Sequence, residues 1–146
     1  MILLDTDHCS VLFDARHRLH ALLVDRLSEA IEGVALPVVA IEEQLRGFLA
    51  YIHREKDFQK KVWPYQRLAG FLRGLAKVNI LDFSDDAAIL TQSLRKQRIK
   101  AGTQDLKIAT MALSTESLLL SANLRDFQHV EGLRVENWLV AEYLQQ

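Results

Sequence analysis

The chain has 146 residues, 49% apolar and 25% charged, with a formal net charge of −1. That mix describes an ordinary globular chain long enough to bury a core, and it carries no global nucleic-acid signature, so any basic surface must be local. The lone cysteine, Cys9, excludes an intrachain disulfide and fits a reducing cytoplasm. No basic segment leads into an apolar run as in a signal peptide, and no apolar run approaches the ~20 residues that span a bilayer. The expectation is one cytoplasmic domain over residues 1–146 with no membrane partner.

Ile2 to Asp5 reads as a short buried strand ended by polar residues, followed by a short helix from Asp7 to Phe13. From His17 to Ile31, apolar residues at Leu19, Leu22, Leu23, Leu27, Ala30 and Ile31 keep a helical period, and Gly33 is read as its terminator. Val34 to Val39 reads as a second strand. The helix from Ala40 to His53 would then carry Glu42 and Glu43 in its first turn. Residues 54–78 are basic and amphipathic, with a helix entered near Pro64, where proline suits a first turn. Asn79 to Phe83 is a third strand. Ser84 is positioned to cap a helix from Asp85 to about Lys100, and Thr103 to cap another from Gln104 to about Thr115. Leu118 to Ser121 is a fourth strand and Leu133 to Val135 a small fifth, before Trp138 and a short terminal helix. Alternating strands and helices predict a mainly parallel sheet of four to five strands, covered on both faces: a three-layer α/β/α sandwich.

Ligands of such sheets bind beyond the carboxyl ends of the strands. Asp5 ends the first strand, Glu43 follows the second, Asp105 opens a helix that returns to the sheet, and Asp126 follows the fourth. One edge of the sheet can collect all four. Clustered carboxylates stay ionised when a hard divalent cation such as Mg²⁺ or Mn²⁺ binds their oxygens, so the pattern points to a metal-dependent enzyme acting on phosphates. Asp5 and Asp105 are the foremost candidate ligands, with Glu43 holding a second ion or orienting the attacking water. Asp126 has the plainer alternative of capping the turn before Phe127, and one of Glu42 and Glu43 that of facing solvent.

Other residues invite other chemistries. Asp5-Thr6-Asp7 imitates the paired aspartates of a small-molecule phosphatase using Asp5, which would need a later lysine and acidic pair. Asp85-Asp86 is the available pair, and helix capping after Ser84 explains it better. Asp7 is assigned to capping the first helix or supporting the site from behind. His8 and Cys9 lack a second cysteine or a histidine at ligand spacing, so they are assigned to packing rather than zinc. His17, His20, His53 and His129 show no triad-like order and are expected at the surface. Between Arg46 and Lys77 there are eight basic residues against two acidic ones, interleaved with Tyr51, Trp63, Tyr65 and Phe71. Arg95, Lys96, Arg98 and Lys100 form a second basic cluster. Such patches attract phosphate backbones, and exposed rings stack on unpaired bases. The alternative favoured for the rings is core or dimer contact.

In order, Leu3-Leu4-Asp5-Thr6-Asp7-His8, Glu42-Glu43-Gln44-Leu45-Arg46-Gly47, Gly102-Thr103-Gln104-Asp105-Leu106-Lys107-Ile108-Ala109 and Ser121-Ala122-Asn123-Leu124-Arg125-Asp126-Phe127 resemble a PIN domain. More narrowly the chain is similar to VapC-type toxins of bacterial toxin–antitoxin pairs, as is its segment from Val130 to Trp138. The resemblance implies a Mg²⁺- or Mn²⁺-dependent endoribonuclease, commonly a homodimer, acting on RNA and held by a small antitoxin protein. It implies Asp5, Glu43 and Asp105 as catalytic and metal-binding residues, with Glu43 preferred to Glu42 because the family's glutamate stands four residues before the glycine matching Gly47. The fourth acidic position falls on Asn123, where many members carry aspartate, or on Asp126. Thr6 matches a small polar residue that hydrogen-bonds near the first aspartate. With an asparagine at the fourth position, the alternative is a catalytically weak PIN scaffold that binds RNA or a protein partner.

Overall fold

The structure, a computed structural model, describes residues 1–140. Five strands form one sheet: β1 (Ile2–Leu4), β2 (Val34–Pro37), β3 (Asn79–Leu81), β4 (Leu118–Leu120) and β5 (Arg134–Glu136), in the order β3-β2-β1-β4-β5. Every pairing is parallel, with Leu3 opposite Ala35 and Leu119, so the sheet is wholly rather than mainly parallel. Helices α1 (Thr6–Leu12), α2 (His20–Glu29), α3 (Val38–Arg54), α4 (Val62–Leu75), α5 (Asp85–Lys96), α6 (Thr103–Ser114) and α7 (Leu124–Phe127) connect the strands. None is long and apolar enough to cross a membrane.

Strand side chains alternate between faces, and two apolar cores follow from that alternation. Leu3, Ala35 and Leu119 pack with Ala87 of α5, with Leu106, Ile108 and Met111 of α6, and with Phe127. Ile2, Leu4, Leu36 and Leu120 point the other way, onto Cys9, Val11, Leu23, Phe71 and Trp138. The three central strands β2, β1 and β4 are therefore buried on both faces, which explains why they read as unbroken apolar runs, while the edge strands β3 and β5 are partly exposed.

Several boundaries differ from the sequence reading. β2 stops at Pro37, an extended N-cap residue, and the β-branched Val38 and Val39 already belong to α3. Glu42 and Glu43 consequently lie in the second turn of α3, not the first. α2 begins only at His20 and ends at Glu29 with Ala30 extended. Gly33 is not in the left-handed conformation of a glycine cap; its carbonyl accepts the Ile2 amide at 2.8 Å. Ser84 caps α5 as expected, accepting the Ala87 amide at 3.1 Å, but α5 closes at Lys96 because Arg98 turns the backbone to φ 55°. Gly102, not Thr103, is the N-cap of α6. The four-residue α7 was not anticipated. The expected terminal helix concerns mainly 141–146, outside the described residues.

Candidate active site

The sheet order places β2 on one side of β1 and β4 on the other. The crevice beyond β1 and β4 is thus the switch point at which open parallel sheets hold ligands. Asp5 leaves β1 there, its amide bonded to the Leu120 carbonyl at 2.9 Å. It is 5% exposed. It is also the N-cap of α1: Oδ1 accepts the Thr6 amide at 2.7 Å, while Oδ2 accepts the Ser121 hydroxyl at 2.7 Å. Capping α1 therefore falls to Asp5, where the sequence reading gave it to Asp7 or left it open.

Asp7 is tied down instead. Oδ2 accepts the Ala122 amide at 2.9 Å, and Oδ1 meets the His8 Nδ1 at 2.6 Å. The His8 ring is fully buried, and its Nε2 accepts the Trp138 amide at 3.1 Å. A backbone N–H can only donate, so the His8 proton facing Asp7 sits on Nδ1. Asp7, His8 and Trp138 form a strut that joins α1 to β4's exit and to the segment after β5. His8 is a packing residue, as expected, but one with a specific polar task. Cys9 is buried in the second core, and burial, with the nearby Asp5 charge, pushes its thiol up to about 12.

Glu43 reaches the same crevice from α3, where its Oε2 accepts the Thr6 hydroxyl. Its neighbour Gln44 donates to the Thr6 carbonyl at 3.0 Å and to the Ser10 hydroxyl at 2.9 Å, fixing α3 against α1. Glu42 points outward, bridging Arg46 at 3.1 Å and accepting from Gln104 at 2.8 Å. Gln104 first, then Arg46, hold its carboxyl low. Asp105 lies in the first turn of α6, and among the described residues no hydrogen bond or ion pair engages its carboxylate. Asn123 is exposed at the N-cap of α7 and donates its amide to Asp126, which lies inside that helix rather than capping it.

The electrostatics follow from this geometry. Burial, with like charges from Asp7 and Asp105, raises Asp5 to about 6 against the opposing bonds from Ser121 and Thr6. Asp105 is raised by burial, then by Glu43, Asp126 and Asp7. Burial is the largest single influence and acts to raise Asp7 too, but the His8 side-chain contact and the Ala122 and His8 amides together outweigh it, and the carboxyl falls below its usual range. Among the described residues, the ion pairs Arg46–Glu42 and Arg67–Asp14 and the His8–Asp7 hydrogen bond use none of Asp5, Glu43, Asp105 or Asp126. The crevice thus gathers mutually repelling oxygens, and among the described residues no cation pairs with them. That donor set suits a hard divalent ion. It is no closed cage: among the described residues no three of His, Cys, Asp and Glu converge tightly enough to hold a metal by themselves. An ion that keeps several of its waters, as Mg²⁺ does, fits such an open arrangement.

No family model matches the chain. Among curated proteins it is 31% identical over 84 residues to the tRNA(fMet)-specific endonuclease VapC of Salmonella typhimurium, covering 55% of this chain and 64% of that one. It is 34% identical over 85 residues to ribonuclease VapC2 of Haemophilus influenzae, covering 56% and 64%. The match therefore spans just under two thirds of these relatives. Among solved structures it superposes on VapBC2 from Rickettsia felis, bound to a promoter DNA fragment, with a TM-score of 0.73 at 23% identity, covering 94% of this chain and 99% of the other. VapBC from Salmonella typhimurium, also bound to DNA, gives 0.73 at 23% identity over 94% and 97%. The chain shares the fold of these VapBC structures.

Within this fold, sequence reasoning passed over Ser121, Gln44 and Ala122. Ser121 is fully buried, donates to Asp5, and accepts the Asn123 amide at 3.0 Å, so it joins the two strand exits. A serine ending an apolar strand beside the expected crevice was the available signal. The second basic cluster, on and after α5, is exposed and lies on the opposite core from α4. The aromatic residues split. Phe71 is core, packed edge-on against Phe13 at 4.9 Å, whereas Tyr51, Trp63 and Tyr65 are exposed, at 44%, 52% and 53%. His20 departs from the expected surface histidines, being half-buried with Nδ1 3.0 Å from the Val11 carbonyl.

Proposed function

We propose that this protein is a Mg²⁺- or Mn²⁺-dependent endoribonuclease and the toxin of a toxin–antitoxin pair, cytoplasmic and formed by one domain. The observation that carries the reading is the buried, unpaired carboxylate of Asp5 set among other acids at the β1–β4 crevice, in a fold shared with VapC proteins. Asp5 and Asp105 would hold the cation, with Glu43 beside them. When bound, the ion lowers the pKa of a coordinated water and polarises the phosphoryl oxygen. Thr6 steers the Glu43 carboxylate by its hydroxyl bond, and Glu43 orients the attacking water. Ser121 and the Thr6 amide hold the Asp5 carboxylate in one rotamer. Asp126 supplies negative charge near Asp105, and the Asn123 amide fixes its direction. RNA is the substrate of this reading, an antitoxin and a second copy of the chain its partners.

The phosphatase alternative has less support. Asp85 and Asp86 open α5 after β3, at the sheet edge two strands from β1, and cannot complete a site with Asp5 and Asp7. Asp7 itself is engaged by His8. The test uses purified protein freed of partner, incubated with a pool of structured RNAs and Mg²⁺, Mn²⁺ or EDTA, beside Asp5→Asn. Discrete cuts that need the ion and vanish in the variant are expected. Well-folded protein that binds RNA but never cuts it would instead favour the non-catalytic scaffold.

A further inference from the structure

Two clefts lie end to end on the α1–α3–α4 side of the carboxylates. The first begins at Thr6 and Glu43 and passes Gly47 of α3 to reach Arg67 of α4. The second begins at Arg67 and continues past Gly70 to Trp63 and Arg16. Arg67 lines both, so the clefts form one path leading away from Glu43.

The glycines on this path have no packing reason to be glycine. Glycine inside a helix is unfavourable relative to alanine. At Gly74 of α4 the reason is plain, since a Cβ would lie 2.5 Å from the Phe13 ring. At Gly47 and Gly70 a Cβ would meet nothing within 4 Å. Both open instead onto the floor of the path, where close approach of a ligand to the helix backbone accounts for them. At the far end, the Arg67 guanidinium lies 5.5 Å from the Trp63 ring centre and is held by Asp14 at 3.0 Å. Five N–H donors serve one such pair with some to spare. A flat ring beside an arginine fork is the chemistry that takes up an unpaired base and its phosphate.

We propose that a single-stranded stretch of RNA runs from the carboxylate cluster across Gly47 and Gly70 to Arg67 and Trp63, where the guanidinium binds a phosphate and the indole stacks on a base. This rests on the endoribonuclease reading and adds to it the track by which unpaired RNA is held.

The test is fluorescence anisotropy of a short labelled oligouridylate with the full chain in an Asp5→Asn background, alongside the cleavage assay on the wild type. Gly47→Met places a side chain in the path and favours the helix, so circular dichroism should show an intact fold. Affinity should drop about tenfold, as should that of Trp63→Ala. Arg67→Gln should lower the slope of log affinity against log salt by about one. Lys96→Gln, on α5, should change nothing. RNA should quench Trp63 fluorescence in preference to that of Trp138, which is 8% exposed. Unchanged affinity in Gly47→Met and Trp63→Ala, with wild-type cleavage present, overturns the track and leaves the endoribonuclease reading standing. Affinity lost in both without any wild-type cleavage supports the track and removes that reading. A Gly47→Met chain that alters oligomeric state by light scattering but keeps its RNA affinity makes the cleft a protein contact and overturns the proposal.

Discussion

Asp5 and Asp7 stand two residues apart on the same turn of chain, and the fold treats them in opposite ways. Asp7 is drawn into a strut through His8 to the Trp138 backbone, and its carboxyl is lowered. Asp5 is left among like charges with only neutral donors, and its carboxyl is raised to about 6. The difference separates an acid that holds the structure together from one whose charge is stored against it. Buried charge without a counter-charge is costly, and it persists where a ligand supplies what the protein withholds.

The largest expected effect separates the two sides by activity. Asp105→Asn, on the unpaired side, should lower metal-dependent RNA cleavage by roughly 100-fold or more, an effect of the size seen when a group stabilising the transition state is removed, with no loss of melting temperature. Single-turnover rates and thermal melts check this. On the paired side, His8→Ala should destabilise the fold by about 3 kcal/mol, because it leaves the Trp138 amide and the Asp7 carboxylate without their buried partner. Urea unfolding measures it, and the folded fraction of the variant should retain cleavage.

A pH series sharpens the contrast. The Asp5 carboxyl titrates higher in the folded chain than its ordinary 3.8, so its contribution to stability is fully present below that value and lost as pH rises through about 6. A shift of this size corresponds to about 3 kcal/mol at most. The unfolding free energy of the wild type relative to Asp5→Asn should therefore fall between pH 4 and pH 7.5, and added Mg²⁺ should diminish the fall. The asparagine keeps the N-cap, so the comparison isolates the charge. The smallest effect concerns Cys9. Buried and raised to about 12, its thiol should be inert to a disulfide reagent at pH 8 in native protein and react at once in urea.

The centre of the sheet was legible because both of its faces are covered, which leaves Ile2–Leu4, Val34–Pro37 and Leu118–Leu120 as short apolar runs, the first and last of them followed by a polar residue. The same continuity hid the boundary at Val38 and Val39, since two β-branched residues after a strand carry no mark of belonging to a helix. Gly33 and Thr103 have the right residue type for caps, but the helices end at Ala30 and start at Gly102 instead. The positions of Asp5, Glu43, Asp105 and Asp126 at one crevice follow from strand order, which alternation alone suggested. The pairing of Asp7 with His8, and of Asp5 with Ser121 across 116 residues, is a matter of side-chain contact that no spacing announces. Of the core or dimer contact favoured for the rings, core holds for Phe71 and not for the exposed Trp63 and Tyr65, because an amphipathic pattern of rings and cations does not say which face meets the sheet.

The most direct measurement is titration calorimetry of Mn²⁺ into partner-free protein at pH 7.5, comparing the wild type with Asp5→Asn and Glu42→Gln. Binding by the wild type, abolished in Asp5→Asn and kept in Glu42→Gln, is the predicted result. A folded wild type that takes up no ion, or an Asp5→Asn chain that binds it undiminished, would contradict the assignment of the unpaired acids to a metal site.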